Sequence, residues 1–270
     1  MGGPVILVGG WEHRDGWEPI GRHLMEQVGC VRTRVTLVPL ASSRAKQPAE
    51  VGRGSQCWNA LGADVEVADR RGPGGLERAL DALEAPDIVI LTGGVPGRLH
   101  AALAATPMWE RIVDLWHDGT TVVGSSAGAM ELCEWRLGVR LPPLVAGLGL
   151  IAGGVVVPHF DRYRFRQLAD SVVRTLGGLP IVGIDERTAL VYRDGACLVV
   201  GQGAVTLVRT GRVVRHLPGG EFVVTSLRHG PAQPAPGTPP ARYPGLSTVP
   251  RSAMDLGVGP SFPPRSVPAS

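Results

Sequence analysis

The sequence predicts an α/β domain: a mostly parallel sheet flanked by helices on both faces, with a β-hairpin extension toward the C-terminus. Three observations carry this. Short apolar runs alternate with longer amphipathic stretches through the first half of the chain. Hydrophobic residues make up 44% of the chain but aromatics only 5%, so Val, Leu, Ala and Ile must fill the core, as they do in buried parallel strands. In the second half the apolar runs shorten and are separated by Gly and Asp turns, the signature of hairpins.

In chain order, the expected strands of the first half are Val5–Val8, Val35–Leu40, Val65–Ala68, Asp87–Leu91 and Thr121–Gly124. Helices are expected between them at Glu18–Val28, Pro48–Leu61, Leu76–Leu83 and Pro107–Asp118. The last has a clear start, with Thr106 as cap and Pro107 at the first helical position. Such alternation implies a parallel sheet with right-handed crossovers. Ile151–Pro158 reads as one strand and Phe165–Leu176 as a helix. The short runs Ile181–Ile184, Ala189–Tyr192, Cys197–Val200, Val205–Val208, Val213–Leu217 and Phe222–Thr225 are expected to extend the same sheet. Residues 1–228 form the expected hydrolytic domain. Residues 229–270 are rich in Pro, Gly, Ser and Ala and lack the periodicity of a packed core, so they read as a disordered tail.

Charge and cysteine content exclude several function classes. A net charge of +3 without any Lys/Arg cluster argues against nucleic-acid binding, and Lys46 is the only lysine. The four cysteines (Cys30, Cys57, Cys133, Cys197) form no CxxC pair, which argues against a zinc site of ordinary spacing or a disulfide framework. The N-terminus lacks the pattern of a signal peptide, and no apolar run reaches the roughly 18 residues of a membrane span. A cytoplasmic protein with reduced thiols is expected.

The chemistry concentrates at Gly124-Ser125-Ser126-Ala127-Gly128, a GxSxG run between an apolar strand and a helix-forming stretch. A nucleophile elbow needs small residues here, because its tight turn brings backbone and neighbours close together. The turn would lift the Ser126 hydroxyl to the carboxyl end of the sheet, beside the N–H groups of a helix start. Ser125 is the neighbouring rival, and an inert small-residue turn is the plain alternative. A serine needs a base. Of seven histidines, His159 ends the apolar run Val155-Val156-Val157-Pro158, where α/β sites gather. Glu186 follows Ile181-Val182-Gly183-Ile184-Asp185 and could orient His159. Asp185 is the alternative acid. Gly94, in the Gly93-Gly94 pair after Leu91, could join Ala127 in an oxyanion hole. The segment from Gly9 to Trp17 follows the first strand and is expected to line the substrate through Trp11.

Taken together, Leu37-Val38-Pro39-Leu40-Ala41-Ser42-Ser43, Leu91-Thr92-Gly93-Gly94, Gly124-Ser125-Ser126-Ala127-Gly128-Ala129, His159-Phe160 and Gly183-Ile184-Asp185-Glu186-Arg187-Thr188-Ala189-Leu190 resemble the cyanophycinase and aspartyl dipeptidase (peptidase E) family of serine peptidases. The resemblance covers roughly residues 4–210. It implies a class I glutamine amidotransferase-like fold, Ser126 as nucleophile, His159 as base, Glu186 as orienting acid, and Gly94 and Ala127 as oxyanion donors. It also implies hydrolysis of a short peptide or amino-acid amide bond without metal or organic cofactor.

The sequence departs from the family where substrate is read. Val95 and Pro96 stand where cyanophycinase-like members carry an acidic and an amide residue, as do Val157 and Pro158 before the histidine. Arg162, Arg164 and Arg166 follow the histidine in a shifted pattern and could grip a substrate carboxylate. The expected partner is a small peptide or amino-acid-derived substrate, and a homodimer is compatible with the sequence. The other reading is a non-hydrolytic binding or regulatory member of the same fold. A glutaminase subunit would need cysteine at position 126, and Cys133 lies seven residues downstream of it.

Overall fold

In a computed structural model, the described residues are 2–138, 144–162, 173–174 and 176–230. In chain order the elements are β1 (Val5–Val8), α1 (Glu18–Val28), β2 (Arg34–Val38), α2 (Gln47–Ala60), β3 (Asp64–Val67), α3 (Gly75–Asp81), β4 (Ile88–Leu91), α4 (Pro96–Leu103), α5 (Pro107–His117), β5 (Thr121–Ser125), α6 (Ala127–Glu131), β6 (Trp135–Leu137), β7 (Leu144–Ala146), β8 (Ile151–Ala152), β9 (Val155–Val157), β10 (Ile181–Ile184), β11 (Thr188–Arg193), β12 (Ala196–Gly201), β13 (Val205–Arg209), β14 (Arg212–His216), β15 (Glu221–Val223) and β16 (Arg228–His229).

The main sheet runs β15-β12-β11-β1-β5-β4-β2-β3. Strands β1 to β5 pair in parallel, so their carboxyl ends share one edge. From β1 outward, β11, β12 and β15 continue the sheet antiparallel. Successive strand residues face opposite sides, and both sides are apolar. Val5, Leu7, Val89, Leu91 and Val122 pack under α3 to α6, with Leu99, Trp109 and Ile112. Ile6, Val8, Ile88, Ile90 and Val123 pack under α1 and α2, with Ile20, Leu24 and Trp58. The helices therefore cover both faces, as the strand composition predicts.

Helix α5 illustrates the local logic. The Thr106 hydroxyl accepts from Trp109 N–H, Pro107 opens the helix, and Met108, Trp109, Ile112, Leu115 and Trp116 make one buried stripe.

Two expectations need correction. Ile151–Pro158 is not one strand. It breaks at Gly153, whose φ of +86° turns the chain, so β8 pairs with β16 while β9 joins another sheet. Nor do all the C-terminal runs extend the main sheet: β14, β13, β10 and β9 form a separate four-stranded sheet. The crossover comes at Gly201-Gln202-Gly203, between β12 in one sheet and β13 in the other. Helix α4 and strands β6 and β7 are additions that the apolar pattern did not signal. Most of the expected helix 165–176 lies outside the described residues, as does the chain from 231 on. His229, at the start of the expected tail, pairs with Ile151. No described helix is long and apolar enough to cross a membrane.

Candidate active site

Strand β5 delivers Ser126 at its carboxyl end. The Ser126 N–H bonds Val8 O at 3.0 Å, so the turn begins in register with β1. Ser126 then adopts φ 49° and ψ −105°, and Ala127 starts α6. For a non-glycine residue this backbone is strained by on the order of 1–3 kcal/mol, a cost that persists only where the surroundings enforce it. The enforcement is close packing. A Cβ on Gly128 would lie 2.2 Å from Leu91 O, and one on Gly124 would lie 2.6 Å from the Gly128 carbonyl. Only glycine at both positions lets α6 sit this near β4 and β5.

The two other predicted groups converge on this serine. Ser126 Oγ lies 2.8 Å from His159 Nε2. His159 Nδ1 lies 2.7 Å from Glu186 Oε1. His159 follows β9, in the second sheet, and its N–H donates to Gly9 O at 2.8 Å, a tie to the end of β1. Glu186 follows β10, beside β9, and its own N–H is held by the Asp161 carboxylate at 2.9 Å. The site is thus built across the junction of two sheets. Ser126 belongs to one, and the histidine and its acid to the other.

Asp185, the alternative acid, is engaged elsewhere. Its Oδ2 accepts from Ala204 N–H at 3.0 Å and pairs with Arg215 at 3.2 Å. Ser125, the rival nucleophile, is fully buried and donates its hydroxyl to Glu12 at 2.7 Å.

Ala127 directly follows the serine, and Gly94 lies in the turn after β4, the strand that pairs with β5. Ala127 is the first residue of α6, where helix geometry leaves N–H groups without intrahelical acceptors. On either side of Gly94, the Gly93 N–H is held by Glu12 and the Val95 N–H by Ala41 O. The Gly94 N–H meets no acceptor among the described residues. Gly94 has φ +143°, and a Cβ there would fall 2.5 Å from Ala41 O.

Arg162 closes the far side. Its Nε lies 2.7 Å from Glu186 Oε1, and its guanidinium carbon stands 5.5 Å from the Trp11 ring centroid. Arg14 and Arg187 approach the same ring at 5.3 and 5.2 Å. Trp11 therefore sits among three cations at the mouth of a cleft of about 460 Å³ whose walls include His13, Arg14, Arg53 and Gln56. The loop carrying it packs against His159: a Cβ on Gly10 would strike the His159 ring at 2.2 Å. Arg164 and Arg166 lie outside the described residues.

The same loop holds what sequence reasoning missed. Glu12 bonds residues 81 and 113 positions away, and no local pattern signals such contacts. Beside it His13 is buried, and Trp58 Nε1–H donates to its Nε2 at 3.0 Å. Burial, first of all, pushes the His13 pKa down to about 4; Glu12 opposes the shift and Arg53 adds to it.

Comparison with known proteins places this geometry in context. The model of peptidase family S51 matches residues 5–200. A cyanophycinase of Trichormus variabilis is 34% identical over 220 residues, covering 76% of this chain and 72% of that one. A cyanophycinase of Geminocystis herdmanii is 30% identical, covering 76% and 79%. A crystal structure of a peptidase from an acI-B1 actinobacterium superposes with a TM-score of 0.69 at 26% identity, over 83% of this chain and 98% of that one. A putative peptidase E protein from Listeria monocytogenes shares the fold, with a TM-score of 0.53 at 19% identity over 80% and 99%.

Proposed function

The chain belongs to peptidase family S51, and on that premise we propose that it is a serine exopeptidase or amidase acting through Ser126, His159 and Glu186. The observation that carries this reading is the unbroken relay: hydroxyl to imidazole at 2.8 Å and imidazole to carboxylate at 2.7 Å, with the serine on a strained elbow.

Ser126 Oγ attacks the substrate carbonyl while His159 Nε2 takes its proton. Glu186 accepts from Nδ1–H, holds the ring in the tautomer that leaves Nε2 free, and stabilises the imidazolium. The N–H groups of Gly94 and Ala127 receive the oxyanion, which exists only once the carbonyl has been attacked. His159 then passes its proton to the departing amine, leaving an acyl-enzyme on Ser126. Water repeats the sequence: His159 takes a proton from it, the acid is released, and the proton returns to Ser126 Oγ.

The substrate is a short peptide or an amino-acid amide. Val95, half exposed directly after the Gly94 turn, puts an uncharged apolar side chain at the edge of the site. Nothing at that position would recognise a cationic side chain, and the three arginines around Trp11 repel one. Cyanophycinase activity, the name of the relatives, therefore needs separate testing in this chain. A library of dipeptides, isopeptides and amino-acid amides, offered to wild type and to Ser126→Ala, tests the proposal. Product is expected from wild type alone, and equal turnover by the variant overturns it.

A further inference from the structure

We infer that Glu12 is a positioning residue that ties together the two turns bearing the oxyanion donors. This inference rests on the roles proposed above for Gly94 and Ala127. Glu12 comes from a third turn, after β1. Its Oε1 accepts Gly93 N–H at 2.7 Å and its Oε2 accepts Ser125 Oγ–H at 2.7 Å. Each partner is the residue just before a working one: Gly93 precedes Gly94, and Ser125 precedes Ser126. A single carboxylate thus spans the β4–α4 turn and the β5–α6 turn.

Peptide geometry shows what this grip fixes. The Gly93 carbonyl and the Gly94 N–H belong to one planar trans unit and point in opposite directions. Ser42 Oγ approaches the Gly93 carbonyl at 3.4 Å. With Gly93 N–H anchored by Glu12 and Val95 N–H by Ala41 O, the peptide between them is pinned at both ends. Gly93 and Gly94, the latter at φ +143°, are the flexible links on its two sides. Without the Glu12 anchor this Gly-Gly peptide keeps only the long Ser42 contact and shifts more readily, and such a shift turns the Gly94 N–H away from the oxyanion.

The loop is built to aim Glu12 inward. Gly10, Trp11 and His13 all have positive φ (108°, 68° and 57°), so the chain coils tightly around residue 12. His13 is clamped between Trp17 and Trp58, with ring centroids 5.2 and 6.4 Å away. Burial raises the Glu12 pKa, but the His13 charge and the Ser125 and Gly93 hydrogen bonds more than offset this and leave it below the ordinary carboxylate value. The ionised carboxylate is an acceptor at both oxygens, as its two donors require.

Inactivation of the full-length chain by a fluorophosphonate tests this, because the phosphonyl oxygen must enter the oxyanion hole as the Ser126 adduct forms. For Glu12→Ala, kinact is expected to fall about 100-fold, the scale of losing one oxyanion donor, with KI changed less than about threefold. Glu12→Gln keeps one oxygen for Gly93 N–H and an amide that Ser125 Oγ can accept from, so it should restore kinact to within about tenfold of wild type. Ser125→Ala leaves the Gly93 anchor and should fall by about tenfold, which keeps the test decisive if Glu12→Ala does not fold. An unchanged kinact in Glu12→Ala and Ser125→Ala overturns the inference. So does a rise in KI alone, which would make Glu12 a ligand-contacting group. Loss of labelling in Ser126→Ala examines the nucleophile separately, so failure of the two ideas is distinguishable.

Discussion

His159 and His100 each turn Nδ1 toward a glutamate, at 2.7 and 2.9 Å, and an arginine meets each glutamate as well. Arg162 lies on Glu186 at 2.7 Å, and Arg136 on Glu131 at 2.5 Å. The same three residue types thus occur twice, yet only the His159 set meets a serine hydroxyl among the described residues. His159 offers its other nitrogen to Ser126 on the strained elbow. His100, on α4, meets no hydroxyl there among the described residues. The carboxylates differ too. Glu131 is fully buried, and that burial lifts its pKa above the ordinary value against the pull of His100 and Arg136. Glu186 keeps 10% of its side chain exposed. A histidine–carboxylate pair is therefore not in itself a catalytic feature. What the second ring nitrogen faces decides whether the pair moves protons or braces helices.

The largest expected effects separate the two sets directly. Ser126→Ala and His159→Ala should each lower kcat by about 10⁶-fold, the scale seen when the serine or histidine of a triad is removed. His100→Ala should leave kcat within about threefold. Comparable losses from His100→Ala and His159→Ala would dissolve the distinction. Next comes the acid. Glu186→Gln should cost about 10⁴-fold in kcat with KM nearly unchanged, because the amide can hold the ring but favours the wrong tautomer. Glu131→Gln should cost little. Steady-state kinetics on any substrate found in the library screen reads both.

Stability should rank the two sets the other way. Arg136→Met leaves Glu131 without a cation in a fully buried site, and should destabilise by about 3 kcal/mol, roughly 6–12 °C in Tm. Arg162 is about one-third exposed, so Arg162→Met should shift Tm by a degree or two at most. Thermal unfolding of both variants checks this, and equal shifts would contradict it.

How legible this was depended on how local each signal was. The Ser126 elbow lies in five consecutive residues, and its small side chains state the packing requirement outright. His159 and Glu186 were readable because each follows a short apolar strand and because the surrounding motifs resemble a known family, although their strands lie in the second sheet and not beside that of Ser126. The split of Ile151–Pro158 was less visible: Gly153-Gly154 can sit inside a strand or break it, and only pairing partners decide. Glu12 was hidden by sequence distance. Arg162 was expected to touch substrate; the structure shows it against Glu186, a contact that no helical spacing encodes. The His100–Glu131 pair, of which only the glutamate is fully buried, left no trace, since a histidine on α4 and a glutamate on α6 look like ordinary solvated residues until the helices pack.

A smaller effect concerns the loop that holds Glu12. The His13 pKa is about 4 in the folded chain and near 6.5 unfolded, so the unfolded chain binds more protons between those values. Stability should therefore rise with pH from about 4 to 6.5, and be lost as pH falls through that window, by on the order of 3 kcal/mol in all. Burial raises Glu50 and Glu131, which tilt the slope the other way just above the carboxylate range. Subtracting the curve of His13→Gln, which retains an acceptor for Trp58, cancels their contribution. Denaturant unfolding across this range should show a flatter profile for the variant, and parallel profiles would contradict the assignment.

The most direct test of the central claim is to map the covalent adduct. Wild type treated with a fluorophosphonate should gain one phosphonyl group, found by peptide mass spectrometry on Ser126. His159→Ala should label far more slowly, and His100→Ala at nearly the wild-type rate. An adduct on Ser125 or any other residue, or equal labelling of Ser126→Ala, would contradict the account.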